Sequence, residues 1–280
     1  MDLTLFQQKD TFAKFIMDKL AGVSIDYHQV NLQIDKSRQE GSAHLKAAIV
    51  LLLHFKKTGH QPGYVFQLIK RSQKVSQGGD ISCPGGMLQP RQDTFLNFIL
   101  KTGILPAVRG RRASRTQKVD RQTAELINLF LTNALREAWE EIGLNPLNTK
   151  YLGALPSYTL SMFARTIFPV VCMTRKPFKY QLSSEVEKMV EIPLSYFFQN
   201  EYYATLHVKT SLGADTQSFQ YETPCLVIPD DRGNEDILWG ATFNIIHNFL
   251  RIISDGSLPS INSSRRLEKI LTNKYLSPKS

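Results

Sequence analysis

Cysteine is scarce in this chain. Only Cys83, Cys172 and Cys225 occur, far apart and without a C-x-x-C pair. That excludes a disulfide framework and a cysteine-ligated zinc site, and it fits a reducing, cytoplasmic setting. Long hydrophobic runs are missing as well. "AAIVLLLHF" is the longest candidate, far short of the roughly 20 residues needed to span a bilayer as a helix. The start, "MDLTLFQQKDTFAKFIMDKL", has neither the basic opening nor the unbroken apolar core of a signal peptide. Acidic residues are in deficit, 25 Asp+Glu against 34 Lys+Arg, for a formal charge of +9. Such a balance favours anionic partners. No aromatic-basic platform accompanies it, so nucleic acid ranks below a nucleotide-type small molecule.

What is present is an ordinary globular composition, 42% hydrophobic over 280 residues, enough for one large domain or two small ones. Phe12, Phe15, Ile16 and Leu20 recur at helical spacing and predict one N-terminal helix, followed by a polar stretch from Asn31. Residues 47–55 read as a buried strand. Pro62-Gly63 turns the chain into a second strand, "YVFQLIKRS", and "DISC" forms a third. "YLGALPSY", "ARTIFPVVCM" and "FQYETPCLVI" read as further strands, and "SSEVEKMV" and "PLSYFFQN" as short helical turns. "TFNIIHNFLRII" is a helix, and the basic tail from 257 ends in at most one short helix.

A longer helix runs from about Thr123 to Ile142 and stops at Gly143. On a helical wheel Leu135, Ala138, Trp139 and Ile142 share the predicted buried face. Glu137, Glu140 and Glu141 lie opposite, flanked by Arg136. Acidic groups there oppose each other at i,i+4, and they face the negative end of the helix dipole at roughly 0.3–1 kcal/mol each. A hard divalent cation, Mg2+ or Mn2+, held by these three carboxylates accounts for that arrangement.

The segment resembles the second half of the Nudix box, G-x5-E-x7-R-E-U-x-E-E-x-G-U, with U a bulky apolar residue. Arg136, Glu137, Glu140, Glu141, Gly143 and Leu144 match, with the small Ala138 at the first U. Other stretches are similar, in order, to the coenzyme A pyrophosphatase-like branch of the Nudix hydrolases. They are "LIKRS" with "GGDISCPGG", "SYTLSMFARTIFPVV", "SSEVEKMVEIPLSYFF" and "ILWGATFNII", together spanning about 45–254. The resemblance implies an α/β/α Nudix sandwich around a mixed β-sheet. It also implies divalent-metal-dependent hydrolysis of a pyrophosphate bond in a nucleoside diphosphate-linked substrate. Coenzyme A or acyl-coenzyme A is the first expectation, yielding 3',5'-ADP and 4'-phosphopantetheine or its acyl form.

Site residues follow from the same matches. Glu137, Glu140 and Glu141 are expected as metal ligands, with the Gly86 carbonyl beside them and Gly85 approaching phosphate. Arg136 is expected to position a glutamate, Arg71 and Ser72 to meet substrate, and Glu185 to serve as base, further ligand or only a helix cap. The first half of the box departs from the pattern. Some thirty-six extra residues separate Gly86 from Arg136, and the first glutamate falls on Gln92 or, counted backward, on Asn128. Asp93, in a stretch that resembles the branch's P-x-D-x-D, is the favoured substitute and is expected as a further metal ligand. Glu125 lies about 22 Å along the helix from Glu140 and does not share its metal.

The domain expectation is a helical extension over 1–40, a hydrolase domain over 41–256 with an insertion at about 90–122, and a basic tail over 257–280. For the insertion three readings stand: a loose excursion, a lid bringing Arg109, Arg111, Arg112 or Arg115 over phosphates, or a peripheral membrane or protein contact. A homodimer is also open. The missing first glutamate supports a rival function, a catalytically weakened module that binds a nucleotide or a protein partner.

Overall fold

The computed structural model describes residues 3–56, 62–101, 117–160, 163–211, 220–230, 233–261, 263–272 and 275. The chain divides into two compact units, one comprising Asp2–Tyr64 and Cys83–Gln181, the other Val65–Ser82 and Leu182–Ser280. Arg109, Arg111, Arg112 and Arg115 lie outside the described residues.

In the first unit the N-terminal segment forms two α-helices rather than one, α1 (Lys9–Ala21) and α2 (Tyr27–Gln39). The polar stretch from Asn31 is the exposed side of α2, which turns Tyr27 and Ile34 inward. Strand β1 (Leu45–Lys56) is apolar on both sides and is buried in its middle, at Ala47, Ala48 and from Val50 to Leu53. It pairs in parallel with β7 (Arg165–Thr174), Ala48 opposite Phe168. The short β4 (Gly85–Met87) runs antiparallel to β1, placing Gly86 opposite Ala48. β5 (Thr149–Ala154) and β6 (Tyr158–Leu160) run antiparallel to β7. The arrangement is mixed.

Two further helices complete this unit, α3 (Pro90–Lys101) and α4 (Arg121–Ile142). The long α4 lies on β1, β4 and β7, with α2 and α3 against it. Asp120 caps its start by accepting the Thr123 N–H, and Gly143 ends it at φ 70°. A side chain at 143 would be strained in that left-handed conformation, as expected of a helix-terminating glycine. Tyr27, Phe130 and Phe168 form an aromatic cluster under α4. Phe130 stacks on Phe168 at 3.8 Å between centroids, and the Tyr27 hydroxyl donates to the Pro169 carbonyl at 2.6 Å. Buried Gln117 ties the end of the insertion down. Its Nε2 donates to the Leu20 and Ala154 carbonyls, and its Oε1 accepts from the Ala154 N–H.

In the second unit β2 (Gly63–Arg71) pairs antiparallel with β3 (Ile81–Ser82) and β8 (Val186–Pro193). β8 replaces the helical turn predicted for "SSEVEKMV". Val186, Val190 and Ile192 are buried at even spacing, a period-2 pattern that satisfies a strand and not a helix. A second sheet has the order β11 (Glu235–Leu238), β10 (Gln220–Pro229), β9 (Tyr203–Ser211), β12 (Arg266–Thr272). Its last pair is parallel, so this sheet too is mixed. β12 stands where the sequence predicted at most a short helix. Helix α5 (Gly240–Ile253) matches its prediction and packs on β10.

Asp80 links the C-terminal segment to the loop after β2. Its carboxylate accepts from Trp239 Nε1 at 3.1 Å, from Lys269 Nζ at 2.6 Å and from the Tyr275 hydroxyl. Both units combine helices with mixed sheets, the expected α/β class. Replacing Phe168, fully buried and stacked on Phe130, with Ala should cost about 3–5 kcal/mol. A chemical-denaturation midpoint would show it.

Candidate active site

Elementary electrostatics makes four carboxylates in one small region costly unless something answers their charge. In the first unit Arg136 does so. Its Nε donates to Asp93 Oδ1 at 2.7 Å, Nη2 to Glu137 Oε1 at 2.8 Å and Nη1 to Glu140 Oε2 at 2.9 Å. The guanidinium is 7% exposed and the Asp93 side chain fully buried. The partners hold Arg136 still more firmly protonated than a free arginine, against the burial that opposes charge. Asp93 also accepts the Gln89 N–H at 2.7 Å, closing the first turn of α3.

The loop before α3 meets the same helix. The Gly85 N–H donates to Glu141 Oε2 at 2.9 Å. At Gly86 a Cβ would stand 2.5 Å from the Glu137 carboxyl carbon, so only glycine leaves that carboxylate room. Burial pushes the Glu137 carboxyl above its usual range, and Arg136 only partly offsets this. Met87 O accepts from Asn133 Nδ2 at 3.1 Å. Asn133, fully buried, was missed in the sequence, because the wheel sets it with Glu137 and Glu140 on the face predicted outward, which β4 covers.

The helical wheel needs correction. Trp139, predicted buried, is 62% exposed, whereas Arg136 and Glu141, predicted outward, are buried. The wheel assumed one covered face. In fact β1 and β4 cover one side of α4, and α3, supplied by the insertion, covers another. Glu140 remains 56% exposed. Glu125 pairs instead with Arg121 at 3.0 Å, away from this group.

Arg71, Ser72 and Glu185 belong to the second unit. Arg71 Nε donates to the Ser76 carbonyl at 2.9 Å, holding its own loop. The Ser72 N–H donates to the Glu185 carbonyl at 2.8 Å. Glu185 caps no helix; it directly precedes β8.

The donor set of Asp93, Glu137, Glu140 and Glu141 is the hard-oxygen chemistry that Mg2+ or Mn2+ takes. Four carboxylates outnumber the guanidinium among them, and the glycine at 86 opens space beside Glu137. Among the described residues, however, no three His, Cys, Asp or Glu side chains converge closely enough to hold an ion. Arg136 keeps the carboxylates spread around itself.

No family model matches the chain. A curated relative, the peroxisomal coenzyme A diphosphatase ndx-8 of Caenorhabditis elegans, is 28% identical over 162 residues. The match takes in 57% of this chain and 53% of the relative, so the chain spans about half the length of the protein it matches. Solved structures include a Nudix hydrolase from Alicyclobacillus acidocaldarius, 15% identical, covering 54% of this chain and 80% of that one at a TM-score of 0.38. A MutT/nudix family protein from Enterococcus faecalis is 13% identical, with 82% and 73% covered and the same TM-score. The relative's name, a coenzyme A diphosphatase, agrees with the resemblance of the ordered motifs to the coenzyme A pyrophosphatase-like Nudix hydrolases.

Removing the guanidinium leaves Asp93 as an unpaired buried carboxylate. Arg136→Gln should therefore cost about 3–5 kcal/mol of stability. The double change with Asp93→Asn should recover much of that loss, as read from denaturation midpoints.

Proposed function

We propose that the chain is a pyrophosphohydrolase that cleaves the diphosphate of a nucleoside diphosphate-linked substrate, coenzyme A or an acyl-coenzyme A first. The observation that carries this reading is Gly85 and Gly86 of β4 held against Glu141 and Glu137 of α4, which brings the two halves of the split motif together. The relative named as a coenzyme A diphosphatase supports the choice of substrate.

Glu137, Glu140 and Glu141, with the Gly86 carbonyl, would hold Mg2+ or Mn2+. When bound, such an ion supplies Lewis acidity toward a phosphate oxygen and lowers the pKa of an attached water. Arg136 orients Glu137 and Glu140 through two charge-assisted hydrogen bonds and anchors both on Asp93. Asp93 thus serves in the place of the absent first glutamate as a positioning group. Glu140, the most exposed of these glutamates in its side chain, is the group best able to turn toward an entering ligand. In the second unit Arg71 and Ser72 are candidate substrate contacts and Glu185 a candidate base.

The second reading, a nucleotide-binding module with weakened catalysis, draws on the ion pairing of three carboxylates to Arg136. The two readings part in one assay. Purified protein with Mg2+ or Mn2+ should turn over coenzyme A faster than NADH, ADP-ribose or dinucleoside polyphosphates. Glu140→Gln should lower kcat by about a hundredfold or more. Binding without turnover of any of these compounds would favour the module. Undiminished turnover in the variant would remove Glu140 from the centre.

A further inference from the structure

Between Glu141 and Glu185 the sequence holds no Asp or Glu, while Lys150, Arg165, Arg175, Lys176 and Lys179 are basic. Folding places the last three at one end of the first unit, because Thr149, which opens β5, pairs with Thr174, which closes β7. The loop after β7 therefore lies beside the turn before β5. Asn148 clasps the two together. Its carbonyl accepts the Arg175 N–H at 2.8 Å, its Oδ1 accepts the Lys176 N–H at 3.0 Å, and its Nδ2 donates to the Lys176 carbonyl at 2.8 Å. The Gln181 N–H closes the loop on the Ile142 carbonyl at 3.1 Å, at the end of α4. Lys9, the first residue of α1, brings a further ammonium, its Nζ donating to the Arg175 carbonyl at 3.4 Å.

The clasp fixes what the loop displays. Arg175, Lys176 and Lys179 are exposed, and none of the three has an ion-pair partner among the described residues. Phe178 and Tyr180, on either side of Lys179, are half-buried and meet edge to face at 5.0 Å between centroids. Leu147, next to Asn148 in the opposing turn, is 40% exposed. We propose that this surface docks on a membrane of anionic phospholipid. Charge complementarity argues for that partner, since the cations stand together with no acid of their own stretch to answer them. Apolar side chains among them suit the same partner. Leu147 and Phe178 can enter the headgroup–acyl boundary while the long lysine stems keep their ammonium groups at the phosphates. Single-stranded nucleic acid fits less well. Its bases stack on open ring faces, and two rings set at 85° to each other offer no shared platform. An acidic peptide matches the cations alone. The proposal goes beyond the hydrolase reading and does not rest on it.

Sedimentation of the full chain with lipid vesicles tests it. Phosphatidylcholine–phosphatidylserine vesicles should carry the protein down, and phosphatidylcholine vesicles should not. Salt at about 1 M should release it, because the charges are then screened within about 3 Å. Lys176→Ala combined with Lys179→Ala should weaken vesicle binding about tenfold or more, since each cation near such a surface adds to the attraction. Both lysines are exposed, so the double variant should melt with the parent. Phe178→Ala should weaken binding severalfold and leave its salt dependence in place. The readout needs no turnover, so a chain that hydrolyses nothing but sediments as described would end the hydrolase reading and uphold this one. A parent that fails to sediment, or that sediments equally without phosphatidylserine, would overturn the proposal. So would binding that survives the double change, which would place it elsewhere in this basic chain. A double variant that keeps its vesicles but loses affinity for polyuridylate or polyglutamate would give the surface to nucleic acid or to an acidic protein instead.

Discussion

The guanidinium of Arg136 is the fixed point of the first unit. Three carboxylates from two helices meet on it, and the pair with Asp93, buried on both sides, is the one shielded from solvent, whereas Glu140 reaches it from the surface. Each half of the arrangement requires the other. Without Arg136 the fully buried Asp93 has no counter-charge, and without Asp93 the arginine has no anchor on α3. The packing of α3 on α4 and the spread of Glu137 and Glu140 follow from this one cluster, while Glu141 beside it seats Gly85 of β4. It also explains how a basic chain accommodates so much negative charge near the end of one helix. The charge is answered from within the helix, at Arg136, before any ligand arrives.

The same cluster sets the terms on which a cation could enter. Glu137 and Glu140 each spend an oxygen on the guanidinium, and Glu141 spends one on the Gly85 N–H. A carboxylate has two oxygens and roughly four acceptor positions, so each retains capacity beyond these contacts. Drawing the glutamates together around a metal trades one positive partner for another. The cost of that exchange is repulsion among the carboxylates while they approach, and the ion's double charge offsets it.

Much of this was legible in the sequence, and the reasons differ by element. The strand β1 and the helix α4 announced themselves by length and periodicity, and Gly143 stopped the helix because its left-handed conformation suits glycine. Box spacing led only to Gln92, and it was the resemblance of the stretch around it to the coenzyme A branch that singled out Asp93, one position on. Trp139 could not be placed, because its exposure depends on α3, an element far away in sequence that decides which sides of α4 are covered. The strands β8, β9 and β12 were hidden for another reason. Short alternations such as Ala204, Leu206 and Val208 are readable only against a known sheet partner. Asn133 escaped notice because on the wheel it sits among the glutamates, on a face that only β4 shows to be covered.

The parallel pairing of β12 with β9 has a temporal side. β10, β11 and α5 all lie between these two strands in the chain, so the flank of β9 that β12 covers stays unpaired while they are made. A bare strand edge is a template for pairing with other chains. Lys209 on β9, later matched by Glu268 of β12 at 2.8 Å, places a charge on that flank in the meantime. The ion pair of the finished sheet doubles as a guard on the unfinished one.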